Sequence, residues 1–144
     1  MAELQVRVSV VGHSHVRRLE QYILQAAGKG VNSHFGVKNA TVNWFGRGGL
    51  KINQLFDQST HDVIHQTTPD VLIIAIGDND HLDSENCDPQ LLALRMVSAA
   101  STFHWRYGVP KVGLICSYFP AIWLVREETN FMIAMQRRST ATWK

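Results

Sequence analysis

Apolar and polar residues alternate at the start of the chain, with Val6, Val8 and Val10 separated by Arg7 and Ser9, and the pattern stops at Gly12. A period of two predicts a short strand. After His13-Ser14-His15 the apolar positions fall at Val16, Leu19 and Ile23. That spacing predicts a helix from about Ser14 to Ala27, closed by Gly28-Lys29-Gly30. A second strand is expected over Ala40 to Phe45, leading into the glycine-rich turn Gly46-Arg47-Gly48-Gly49. Leu50 to His65 reads as a helix with Ile52, Leu55 and Phe56 near its start. Val71 to Ile76 is a continuous apolar run, the pattern of a parallel strand covered on both faces, and it ends at Gly77-Asp78-Asn79-Asp80. Leu91, Leu94, Val97 and Ala100 mark a third helix that Gly108-Val109-Pro110 closes. Val112 to Cys116 predicts a fourth strand, and a last helix is expected from about Trp123 to Arg137.

Strands alternating with helices predict a parallel sheet with right-handed crossovers, hence a three-layer α/β/α sandwich of about four strands. The 144 residues suit a single domain spanning 1–144.

Composition narrows the field rather than opening it. A hydrophobic content of 45% and a charged content of 18% are globular values. The net charge of +2 comes without a clustered basic stripe, which speaks against nucleic acid as a partner. Cys87 and Cys116 lack metal-site spacing, and a disulfide between them has no support. There is no signal-peptide pattern at the N-terminus and no apolar run of membrane-spanning length, so a cytoplasmic protein is the default expectation. Oligomeric state is not legible.

Three polar or glycine turns are expected at the carboxyl ends of the first three strands, on one rim of the sheet, where ligands of α/β sheets gather. They carry Ser14, then Gly48-Gly49, then Asn79. A hydroxyl, backbone N–H groups and a carboxamide are the parts of an acyl-transfer site. The helix start at Ser14 adds the positive end of a dipole. Ser14 has a second reading as the helix N-cap, a position where serine is common.

These turns resemble the sequence blocks of the SGNH hydrolases, or GDSL-type esterases and lipases. Gly12-His13-Ser14 is similar to the first block, Gly-Asp-Ser, with His13 in place of the aspartate. Phe45-Gly46-Arg47-Gly48-Gly49 is similar to the second, whose glycine is matched to Gly49 with Gly48 as the other register. Gly77-Asp78-Asn79-Asp80 fits the third, Gly-x-Asn-Asp. The resemblance runs from about Val6 to Phe119. It implies a flavodoxin-like α/β/α fold and hydrolysis of small-molecule carboxylic esters through an acyl-serine, without a cofactor or metal. Ser14 is then the nucleophile, and Ser14, Gly49 and Asn79 form the oxyanion hole. His13, His15, Gly48, Asp80 and His81 are candidates to line the site.

The family's Asp-x-x-His block, which supplies the base, is missing after Phe119, so the domain reads as incomplete at its C-terminus. Asp62-Val63-Ile64-His65 has the pattern but lies on the second helix, away from the rim. A serine without its base loses several orders of magnitude in rate. The alternative is therefore an inactive SGNH-like binding or scaffold module.

Other signals are weaker. His61 and His65 are spaced i, i+4 as in a metal-binding helix, yet no third ligand follows, and a solvated helix face accounts for them. His81 is a candidate substitute base. Trp105, Trp123 and Trp143 read as packing residues, and Arg17 as a solvated cation within reach of an anionic substrate group. A dinucleotide site would need more glycines after the first strand than Gly12 alone, and no phosphate-cradle motif is present.

Overall fold

The computed structural model describes residues 4–26, 37–82, 88–116, 119–125 and 132–135. Its elements in chain order are β1 (Val6–Gly12), α1 (Ser14–Ala26), β2 (Ala40–Gly46), α2 (Gln58–Thr67), β3 (Val71–Ala75), α3 (Asp78–Leu82), α4 (Pro89–Trp105), β4 (Lys111–Cys116), β5 (Phe119–Val125) and β6 (Met132–Met135). The sheet order is β2-β1-β3-β4-β5-β6. The first four strands are all parallel, so the protein is an α/β fold of the expected kind.

Alternation divides the sheet's faces. Val11, Ile74 and Leu114 stand in one row of the register, so they point to the same side. They join Leu72, Val112 and Ile76 in one core with Ile64 of α2 and Leu92, Met96, Ala99, Ala100 and Phe103 of α4. On the opposite face α1 contributes its own buried residues, Val16, Ile23 and Ala26. Three layers result, with the core concentrated on the α2–α4 side. The other face is thinly covered among the described residues: β3 alternates buried with half-buried positions, and Ile115 of β4 is 44% exposed. β3 is thus covered on both faces, fully on the α2–α4 side and by half on the other.

Three local expectations also change. Leu50 to His65 is not one helix: a 3-10 turn at Ile52–Gln54 precedes α2. Asp57 divides them, because its carboxylate accepts from Thr60 N–H and caps α2 there. In α4 Leu92, Met96, Ala99, Ala100 and Phe103 are buried and Val97 packs against the core, whereas Leu91 and Leu94 stay exposed, so of the expected apolar positions Val97 and Ala100 face the core and the two leucines do not. The final helix from Trp123 to Arg137 is replaced by β5 and β6, which pair antiparallel beyond β4. Phe119-Pro120-Ala121-Ile122-Trp123-Leu124-Val125 is rich in aromatic and β-branched residues, which favour a pleated strand. Trp105 is 70% exposed and is no core residue; the side chains of Trp123 and Trp143 lie outside the described residues. No described helix is long and apolar enough to cross a membrane.

Candidate active site

The parallel strands β1, β2 and β3 end on one rim, and three turns leave it. The first follows Gly12. A Cβ there would lie 2.5 Å from Val16 Cγ2 and 2.7 Å from the Ala75 carbonyl oxygen, so only glycine lets the chain turn so tightly into α1. His13 comes next, 4% exposed. Its carbonyl accepts the first helical bond, from Arg17 N–H at 3.2 Å, and its ring Nδ1 accepts from His15 N–H at 3.2 Å. These two bonds make His13 the N-cap of α1. Ser14 is therefore the first residue inside the helix, half-buried, and the cap reading of Ser14 is corrected: the histidine does that work.

The other ring nitrogen, Nε2, lies 2.8 Å from Asp78 Oδ2. With Nδ1 accepting, a neutral ring carries its proton on Nε2, the nitrogen that faces the carboxylate. The Cys116 thiol meets the other oxygen of Asp78 at 3.6 Å. His13 thus ties the first turn to the end of β3 by its own N–H, which donates to the Ala75 carbonyl at 3.2 Å, and its buried ring meets Asp78 of the third turn at ion-pair distance.

The second turn is joined to both others. Arg47 N–H donates to the Gly12 carbonyl at 2.9 Å. The Asn79 carboxamide donates to the Leu50 carbonyl at 3.1 Å, and the Asp80 carboxylate accepts from Ile52 N–H at 3.1 Å. Burial pushes the Asp80 carboxyl up from its ordinary range, and the bond from Ile52 N–H opposes that shift. Within the turn Gly49 takes φ +72°, the left-handed region that favours glycine. The guanidinium of Arg17 reaches the same turn: a Cβ at Gly48 would sit 3.2 Å from Arg17 Nη1. Each turn is therefore bonded to the other two.

Ser14, Gly48, Gly49, Asn79 and Asp80 all stand on these interlocked turns of one rim. His15 is exposed on the first turn of α1, its ring edge-on to His13 with centroids 4.7 Å apart. The side chain of His81 lies outside the described residues. The Asp62-x-x-His65 pattern falls elsewhere: His61 and His65 line a cavity of about 320 Å³ with Arg7, Asp70 and Tyr107, at the amino ends of the strands. The residue that sequence reasoning undervalued is His13. Its signal was positional, a polar residue directly before the first helical position.

His13, His15 and Asp78 also bring three ligand atoms within 4.8 Å of one another. A divalent ion on His13 Nε2 would move the ring proton to Nδ1, where it would face the His15 N–H that this atom now accepts. The positive end of the α1 dipole opposes a cation there as well.

No family model matches the chain, and no curated protein matches it. Two solved structures do. One is the crystal structure of an acetyl xylan esterase, AlAXEase, at 18% identity and a TM-score of 0.51, covering 81% of this chain and 59% of that one. The other is a variant of the acetyl xylan esterase Axe2 from Geobacillus stearothermophilus, at 18% identity and a TM-score of 0.42, covering 80% of this chain and 61% of that one. The chain thus spans about three-fifths of the length of either. At this identity the likeness is one of fold. The likeness to AlAXEase reinforces the α/β assignment.

Proposed function

We propose that this domain hydrolyses carboxylic esters of small molecules as a serine esterase of the SGNH kind. The observation that carries the reading is that His13 caps α1, leaving Ser14 without a capping role on a rim where three turns interlock. In the proposed reaction Ser14 Oγ attacks the ester carbonyl as its proton passes to solvent water, and the departing alkoxide takes a proton back from water as the carbonyl reforms. Ser14 N–H, Gly49 N–H and the second N–H of the Asn79 carboxamide stabilise the oxyanion. Collapse expels the alcohol and leaves an acyl-serine, which water then hydrolyses. The fold likeness to an acetyl xylan esterase is consistent with an ester substrate.

A second reading has its own observation. His65 of the Asp62-x-x-His65 pattern lines the cavity at the opposite rim, with Arg7 and Asp70, so it does not serve Ser14, and the inactive binding module follows where no Asp-x-x-His base among the described residues reaches that serine. Labelling with a fluorophosphonate separates the two. The esterase reading expects a stoichiometric adduct on Ser14, absent from Ser14→Ala, together with turnover of p-nitrophenyl acetate. A folded protein giving neither adduct nor turnover favours the binding module.

A further inference from the structure

Arg17 lies one helical turn beyond Ser14, and residues three apart on a helix are neighbours, with Cβ atoms about 5–6 Å apart. Its backbone is fixed. A Cβ at Gly46 would fall 2.1 Å from Arg17 N and 2.2 Å from Arg17 Cα, so α1 rests directly on the end of β2. Its head is placed too, since a Cβ at Gly48 would be 3.2 Å from Nη1 and 3.6 Å from Cζ. The guanidinium therefore lies against the glycine turn whose neighbour, Gly49, is the proposed oxyanion donor.

The charge is unmatched among the described residues. Arg7 pairs with Asp70 and Arg47 with Asp57, but no described carboxylate stands within ion-pair distance of Arg17. The first turn of α1 carries no acidic residue. A cation near the positive end of a helix is electrostatically unfavourable, and the Asp78 carboxylate at that end faces His13 Nε2 at 2.8 Å rather than Arg17. An incoming anion would offset the charge.

We propose that Arg17 receives a carboxylate carried by the substrate, so that the domain prefers anionic esters, such as hemiesters of dicarboxylic acids, over neutral ones. The planar fork of a guanidinium suits two parallel bonds to a carboxylate. The inference rests on the ester reading for its reaction, and on Arg17 for its specificity.

The test compares p-nitrophenyl hemisuccinate with p-nitrophenyl acetate. In the wild-type protein the ratio of their kcat/KM values should favour the hemisuccinate and fall as salt screens the pairing. Arg17→Gln should lower that ratio about tenfold, and Arg17→Lys should recover part of the loss. A ratio that Arg17→Gln leaves unchanged, or that Arg17→Lys does not partly restore, overturns the proposal. Where the wild-type protein turns over neither ester, the esterase reading fails by itself. Arg17 is then tested by titrating succinate and following the Arg17 Nε–H resonance. A shift that saturates, with affinity weakened about fivefold or more in Arg17→Gln, supports the carboxylate site. No saturable shift, or an affinity indifferent to the substitution, overturns it.

Discussion

β1 is held at both ends by a bond between a basic residue and an aspartate, and the two bonds are of different kinds. At the amino end Arg7 meets Asp70 at 3.0 Å with side chains 51% and 37% exposed. At the carboxyl end His13 meets Asp78 at 2.8 Å with side chains 6% and 15% exposed. The first pair has more hydrogen bonds: Arg7 also reaches Thr68 at 2.7 Å, and its own N–H donates to Asp70 at 2.8 Å. These bonds raise the Arg7 guanidinium and lower the Asp70 carboxyl from their ordinary values. Water competes for every one of them, so the pair adds little stability for its number of contacts. The His13 pair is shielded, and either partner left alone would be a buried polar group without the charged neighbour that faces it. Counting contacts would rank the two ends in the wrong order.

The strongest way to break the comparison is His13→Ala, which removes the α1 cap together with the bond to Asp78. It should cost about 2–4 kcal/mol in urea denaturation, and the fluorophosphonate adduct on Ser14 should be lost even where the variant stays folded. Gly46→Ala, at the same end, forces α1 off β2 and should cost about 2–3 kcal/mol. A thermal midpoint equal to wild type would mean that α1 is free to slide.

A smaller effect is expected at Asp57, the cap of α2. Bonds from Ser59 first, and then from Arg47, hold its carboxyl down at about 2. A carboxyl lower in the folded than in the unfolded state contributes stability that is present above the ordinary carboxylate range and lost as pH falls through about 2. Asp57→Ala should cost about 1 kcal/mol near neutral pH and flatten that acid limb of the stability profile. The smallest change belongs to Arg7→Gln, which should leave the urea midpoint within error. A double-mutant cycle sharpens the contrast: the coupling should be large for His13 with Asp78 and near zero for Arg7 with Asp70.

What the sequence made legible was whatever depends on local periodicity. β1 to β4 follow from alternating or continuous apolar runs, and the rim turns from Gly12, Gly48-Gly49 and Gly77. α4 is legible as a helix with Val97 and Ala100 toward the core, but Leu91 and Leu94 are exposed, because a helix apolar nearly all round leaves its buried stripe to be chosen by what packs on it. β5 and β6 were missed because an apolar run of that length suits either element, and pairing to β4 decides between them. At the site, the position of Ser14 was readable and the role of His13 was not. A cap made by imidazole rather than a small oxygen side chain is uncommon, and its second bond, to Asp78, spans 65 residues of chain.

The bonds from Arg47 to Gly12, from His13 to Asp78, and from Asn79 and Asp80 to the 50–52 backbone close a triangle rather than a line. A braced triangle keeps its shape when pushed, whereas three bars in a row fold at every joint. Cutting any one brace leaves all three corners attached through the remaining two but able to scissor. Damage to this rim should therefore first appear as lost alignment in a protein that still folds, with collapse following only when a second brace goes.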